Sequence, residues 1–307
     1  MNRRTSASTV IASIFLFVVS ATASAQPPTP PPDPQDPPGV TITAATPSQP
    51  DDDPAALDPL EPDFSLVSLP TTLRLPTHRG DFHLSHRFNL NLVCGDSESD
   101  CLSARVGGLF GLDSGANIGL EFRFGIMRNV QAVVLRTSLS QTIQLSLQYD
   151  AWHENADHPL SISAIAAIEG DHNLGANTPD TQETRYSPSL GLIVSRKVAG
   201  RLIAYLEPFW IHNTAGQGLP TRDTGMIGVG GRLRLSSTVN LVGEVAPRVS
   251  GLALRDPQFG FAIEKRVGGH VFSLTFTNNP GTTFRQISSG GNPDTLNLGF
   301  NLSRKFY

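Results

Sequence analysis

Residues Leu109 to Ile126 read LFGLDSGANIGLEFRFGI. From Asn117 onward the stretch alternates. Ile118, Leu120, Phe122, Phe124 and Ile126 share one face, while Asn117, Gly119, Glu121, Arg123 and Gly125 share the other. Side chains of a strand point to opposite faces with period two, so this is a strand with one apolar and one polar side. A charge facing lipid at mid-bilayer costs up to about 2–4 kcal/mol. In a membrane, Glu121 and Arg123 therefore face inward and the five apolar residues face out.

The same alternation recurs, and twelve strands are predicted, at 81–92, 117–126, 130–137, 142–152, 160–168, 185–196, 201–211, 225–235, 239–248, 258–265, 270–277 and 295–306. His86 interrupts the apolar face of the first, which calls for a bulge or a face not wholly turned to lipid. The third, NVQAVVLRT, is too evenly apolar for its faces to be assigned. An even strand number and lengths near 9–11 residues suit a bacterial membrane barrel. Short links (MRN, KVAG, SST, RVGG) alternate with long ones at 93–115, 169–184, 212–224, 249–257 and 278–294. Short turns on the periplasmic side and long loops outside are the asymmetry of outer-membrane barrels. The short third-to-fourth link and the middling HENADHP depart from that contrast.

A secreted β-sandwich is the soluble alternative, since it also alternates and turns often. Against it stand the loop asymmetry and aromatics near strand ends (Phe82, Trp152, Phe209, Trp210, Phe276, Phe306), which suit interfacial girdles. The chain ends in Tyr307 beside an amphipathic strand, close to the terminal insertion signal of such barrels but one residue out of phase. The fold class expected is an all-β antiparallel transmembrane barrel of about twelve strands over 80–307, behind a disordered N-terminal arm.

The chain has 307 residues, 39% hydrophobic and 16% charged, with a net charge of -4 and 28 glycines. Outside the extreme N-terminus no apolar run reaches the 18 or more residues of a membrane helix. Residues 1–25 carry Arg3 and Arg4, the apolar run Val10–Val19 and the small-residue site Ala23-Ser24-Ala25, the parts of a cleaved signal peptide. The protein is thus expected to be exported to the outer membrane of a diderm bacterium. Residues 26–65 are proline-rich, with eight acidic residues and no Lys or Arg. Such a segment cannot bury enough apolar surface to offset its ordering entropy, so a disordered linker is expected. A sharper reading makes it an arm touching cell wall or a periplasmic protein.

The two cysteines, Cys94 and Cys101, lie close together in a polar segment and most simply form one disulfide outside the cytoplasm. Asp96, Glu98 and Asp100 between them lack the glycine and distal glutamate of a calcium loop, so a solvated loop is expected. At Phe110-Gly111-Leu112-Asp113-Ser114, followed by Ala116-Asn117-Ile118 and a strand ending Phe124-Gly125-Ile126, the sequence resembles a family of bacterial outer-membrane β-barrels known only as a domain of unknown function. In that family an FGLDS-type motif leads into a strand and a short turn. The resemblance covers Asp81 to Tyr307 and implies a barrel, but no activity.

No nucleophile elbow, phosphate loop or zinc spacing is present, so neither enzyme, cofactor nor metal is expected. The GVGGRL cluster lies within a strand and no helix follows it. Barrel hydrolases use a Ser-His pair, for which Ser85 with His86 or His270 with Ser273 are the generic candidates. The alternation places Glu121, Arg123, Asp150, Arg232, Arg234, Glu244, Arg248 and Glu264 toward the lumen, and puts Arg232 within reach of Glu244 across neighbouring strands. These charges either pair and fill the barrel or line a channel. Passive passage or binding of small solutes is the leading expectation. A structural or adhesive barrel acting through its loops is second, and a lipid hydrolase third. Expected partners are outer-membrane lipid and the insertion machinery, with no nucleic acid.

Overall fold

In the computed structural model, residues 60–94, 101–111, 115–170, 186–214, 223–251 and 256–306 are described. Twelve antiparallel strands close into a barrel. They are β1 (Gly80–Asn91), β2 (Ala116–Met127), β3 (Val130–Thr137), β4 (Ile143–Trp152), β5 (Ser161–Gly170), β6 (Tyr186–Val198), β7 (Leu202–Ile211), β8 (Thr224–Arg234) and β9 (Val239–Ala246). Beyond Pro247, β9 runs on into a three-residue piece, β10 (Arg248–Ser250); β11 (Gln258–Val267), β12 (His270–Thr277) and β13 (Asn297–Phe306) complete the wall. Each strand pairs with its sequence neighbours, and β1 with β13 makes the closing ladder from Gly80↔Phe306 to Asn91↔Asn297. Closure leaves no sheet edge unpaired, the condition for a sheet in lipid. No described helix is long and apolar enough to cross a membrane.

The strand count and most boundaries agree with the periodicity. Leu120, Phe122, Leu145, Leu147, Leu190, Leu206, Val229, Ile263, Phe272 and Leu274 are exposed on the outer face. A belt of that extent would be untenable in water and is the lipid contact of a membrane barrel. In β3 the structure assigns the faces that even apolarity hid: Val133 and Leu135 point in, and Val134 points out. At His86 the β1–β2 register runs unshifted, and on the β1–β13 ladder the irregularity falls just beyond it, between Arg87 and Asn91. The imidazole stays on the outer face, stacked on Phe300 at 4.8 Å and edge-on to Phe88 at 4.6 Å. Of the supposed girdle aromatics, Phe209 is a correction. It points inward, buried, with its ring 4.6 Å from that of Phe284.

The start of β1, the end of β13 and the links at 128–129, 153–160, 199–201, 235–238 and 268–269 share one end of the barrel, by the alternation of strand direction. The long links share the other. Cys94 and Cys101 are disulfide-bonded there, beside the short helix α1 (Cys101–Gly107). The acidic residues 96, 98 and 100 lie outside the described residues, as do the signal-peptide segment and Tyr307.

The largest departure from expectation lies before β1. Residues 60–65, assigned to the linker, and 66–75, assigned to nothing, form a hairpin inside the barrel. Thr71 donates its backbone N–H to Phe64 O at 2.9 Å, and Leu66 N–H to Leu69 O at 2.8 Å closes the tip. Phe64, Leu66, Val67, Leu69, Leu73 and Leu75 are all buried. The returning arm leaves at Pro76, whose carbonyl occupies the space a Cβ on Gly125 would need near the β2–β3 turn. The hairpin thus enters from the short-turn end.

Wall glycines make room for it. A Cβ on Gly230 would strike Leu66, one on Gly228 would lie 2.8 Å from Leu69, and one on Gly260 3.0 Å from Val67. Gly230→Val is therefore expected to destabilise the plugged barrel by about 1–3 kcal/mol, the usual cost of overpacking. Gly243→Ala, where a Cβ meets nothing within 4 Å, is expected to cost under about 0.5 kcal/mol. Denaturation midpoints of the two variants in detergent check the contrast.

Candidate functional site in the barrel lumen

Two inserts meet in the lumen. From the long-loop end, the β12–β13 link folds inward through helix α2 (Phe284–Ser288), capped by Thr283 and Gln286 in a reciprocal box. Glu169 of β5 accepts from Thr283 Oγ1 at 3.0 Å and pairs with Arg285 Nε at 3.1 Å, while Gln144 Oε1 accepts from Phe284 N at 3.0 Å. Phe284 and Ile287 join Leu66, Val67 and Leu69 of the hairpin in one apolar cluster with Ile193, Ile203, Phe209 and Met226 of the wall. The lumen side of β5–β8 is thus unexpectedly apolar, and both inserts cover it.

The hairpin is held through its backbone. Glu244 of β9 accepts from three successive N–H groups, Val67 at 2.9 Å and Ser68 and Leu69 at 3.0 Å, and from Gln258 Nε2 at 2.9 Å. On the other side, Arg87 Nη2 and Asn301 Nδ2 both donate to Val67 O at 3.0 Å. Arg232 donates to Ser65 O at 2.8 Å, Gln131 to Leu73 O and Gln148 to Thr71 O at 3.0 Å each. Tyr205 donates its hydroxyl to Glu61 at 2.6 Å. Those made by Glu244, Arg87, Arg232 and Glu61 are charge-assisted and contribute more than neutral ones, about 1.5–3 kcal/mol each. None of them belongs to the β-ladder. The hairpin is a guest in the barrel, not a strand of its wall.

At the short-turn end, Phe64 is clamped between two cations, with the Arg123 guanidinium 5.0 Å and the Lys305 ammonium 5.6 Å from its ring centre. Lys305 also donates to Pro62 O, and Arg123 to Glu121 at 3.0 Å and Gln148 at 3.2 Å. Asp63 lies 3.8 Å from His83.

The other charges singled out in the sequence divide as follows. Asp150 is buried and accepts from Ser163 at 2.6 Å. Arg232 does not pair with Glu244. Its partner is Glu264, at 3.0 Å, both side chains fully buried, because the β8–β9 register sets Gly230, not Arg232, opposite Glu244. Arg248 is buried beside Met226 of β8, and Arg234 lies half-exposed at the short-turn rim near Gly200 O. Phe110 and Gly111 close a tight turn after α1; Leu112, Asp113 and Ser114 lie outside the described residues. Both Ser-His candidates are split across the wall. Ser85 and Ser273 are buried on the lumen side, whereas His86 and His270 alternate onto the outer side with Phe300 and Phe272. Neither pair can share a proton. No cluster of three or more His, Cys, Asp or Glu among the described residues is placed to hold a metal.

Sequence reasoning missed the hairpin and its contacts Arg87, Tyr205 and Asn301. The available signal was the apolar spacing of Phe64, Leu66, Leu69, Leu73 and Leu75, directly after a segment with little apolar surface to bury. A closed strand wall with a lipid belt and a polar-backed plug defines an outer-membrane-type β-barrel. The membrane bound beta barrel domain family DUF5777 matches residues 63–306, and the chain belongs to that family. The match begins inside the hairpin, so the plug is part of the family domain. No functionally curated protein matches the chain. Among solved structures it is similar to the KdgM porin (9% identity, TM-score 0.46, 75% of this chain and 99% of that one). It is likewise similar to the COG4313 outer membrane channel from Pseudomonas putida F1 (11%, 0.46, 76% and 97%) and a TodX monoaromatic hydrocarbon channel mutant (11%, 0.34, 76% and 68%).

Proposed function

We propose that this barrel is a porin-like passage for small solutes, closed at rest by its own N-terminal hairpin. The observation that carries the reading is that residues 61–75 fill the lumen without joining the ladder: side chains of the wall bind their backbone, and the wall is complete without them. Passage is favoured over catalysis because the Ser-His pairs lie on opposite faces. The acidic, proline-rich residues before the hairpin would then serve as a handle for a cell-wall or periplasmic partner.

Planar-bilayer recordings test the proposal. The intact chain is expected to be mostly silent, and the chain without residues 60–75 to give discrete current steps. A well-folded barrel that stays silent in both forms would overturn the passage reading in favour of a structural barrel acting through its loops.

A further inference from the structure

Asp81, at the start of β1, sits directly opposite Lys305 of β13 and Arg123 of β2, all three on the lumen face. Opposed residues of adjacent strands have Cβ atoms about 4.5–5.5 Å apart, within easy reach of an ion pair. Yet Asp81 is 0% exposed, and neither of its carboxylate oxygens has a hydrogen-bond partner. Both flanking cations are turned to the hairpin and its surroundings: Lys305 to Pro62 O and the Phe64 ring, Arg123 to the same ring, Glu121 and Gln148. The hairpin also brings a second carboxylate, Asp63, against His83, which shares the lumen face with Asp81. Asp63 Oδ2 and Ser303 Oγ, opposite His83, are likewise buried and unpartnered.

We propose that this arrangement is a two-state latch. With the hairpin in, Arg123 and Lys305 clamp Phe64 and Asp81 is left unsatisfied. With the hairpin withdrawn through the short-turn end, Asp63 leaves, and Arg123 and Lys305 close on Asp81. A buried carboxylate without hydrogen-bond partners is costly, and the same group paired with two cations in a solvated lumen is not. The wall therefore carries an interaction that only the unplugged state satisfies, which biases the hairpin toward release and gives the open lumen a set of contacts of its own. The groups facing Asp81 are Asp63 of the hairpin, His83 of its own strand, Glu121 and Arg123 of β2, and Ser303 and Lys305 of β13. The latch deepens the passage reading by naming what competes with the plug.

Ser68→Cys provides the probe. Its hydroxyl is buried and unpartnered at the hairpin tip, so the change is nearly isosteric, and the native cysteines are held in their disulfide. Maleimide modification of Cys at that position is followed in detergent, with unboiled gel mobility reporting that the barrel stays closed. Modification of the folded barrel is expected. Asp81→Asn is expected to slow it about tenfold, because the amide loses little in the plugged state and gains less from the two cations on release. Phe64→Leu, which removes the ring that holds those cations away, is expected to speed it and serves if the Asp81 variant fails to fold.

Modification only of unfolded protein, or an unchanged rate in Asp81→Asn, would overturn the latch. So would an unchanged rate in Phe64→Leu. The readout does not involve current. Modification without conductance removes the passage reading and leaves the latch, whereas conductance without modification does the reverse.

Discussion

Deleting residues 60–75 is expected to convert a silent barrel into a conducting one while the wall stays folded. All twelve ladders are formed by residues from Gly80 onward, so the deletion removes no strand pairing. What it removes is the buried row Phe64, Leu66, Val67, Leu69, Leu73 and Leu75. The ladders of the wall itself are untouched, so the loss in wall stability is modest and the gain in open lumen is large. Helix α2 stays docked by Gln144 and Glu169, so the passage opens beside it, along Arg87, Gln131, Gln148 and Asn301, which lose their backbone partners and become solvated lining. Small polar solutes are expected to pass in liposome-swelling assays, and larger ones to be excluded by the α2 lobe. A crosslink between Thr72→Cys and Ser195→Cys, whose native hydroxyls are hydrogen-bonded, is the reciprocal control and should hold the intact chain silent.

The largest stability effect is expected at Arg232. Its pair with Glu264 is fully buried, and Asn240 Nδ2 donates to the other Glu264 oxygen at 2.7 Å. Removing one partner of such a pair leaves an uncompensated charge in a low-dielectric interior, typically at a cost of about 3–5 kcal/mol. Arg232→Met is therefore expected to lower the denaturation midpoint in detergent sharply and to loosen the hairpin, since Ser65 O loses its donor at the same time. The double variant Arg232→Met, Glu264→Met should recover most of the wall stability, because no orphan charge remains, but not the hold on Ser65. Equal losses in the single and double variants would mean that the pair's contribution is packing and not charge. The half-exposed rim residue Arg234, changed to Met, should shift the midpoint by under about 0.5 kcal/mol.

Period-two alternation was enough to establish the class of fold, the number of strands and most of their limits. A membrane barrel has only one arrangement that keeps apolar faces outward and closes every ladder, and twelve copies of a 10-residue pattern state it locally. The resemblance pointed to an uncharacterised membrane-barrel family, and the chain belongs to one. Register lay beyond this reach. Alternation puts Arg232 and Glu244 on the same face but does not say which residues stand opposite one another, and a two-residue offset gives Arg232 to Glu264 and Glu244 to the hairpin. Phe209 shows the same limit, since an aromatic near a strand end serves equally as a girdle or, when it meets Phe284, as core.

The sequence alone determined that a barrel forms and that it belongs in a membrane, because those follow from the facing of single residues along each strand. Whether the barrel is open was decided only in three dimensions. Residues 60–75 carry apolar side chains, but nothing local in them says where those side chains are buried. Their fate depends on Gly228, Gly230 and Gly260 leaving space, and on Glu244, Arg87 and Arg232, more than a dozen residues away in sequence from the groups they bind, converging on one short backbone.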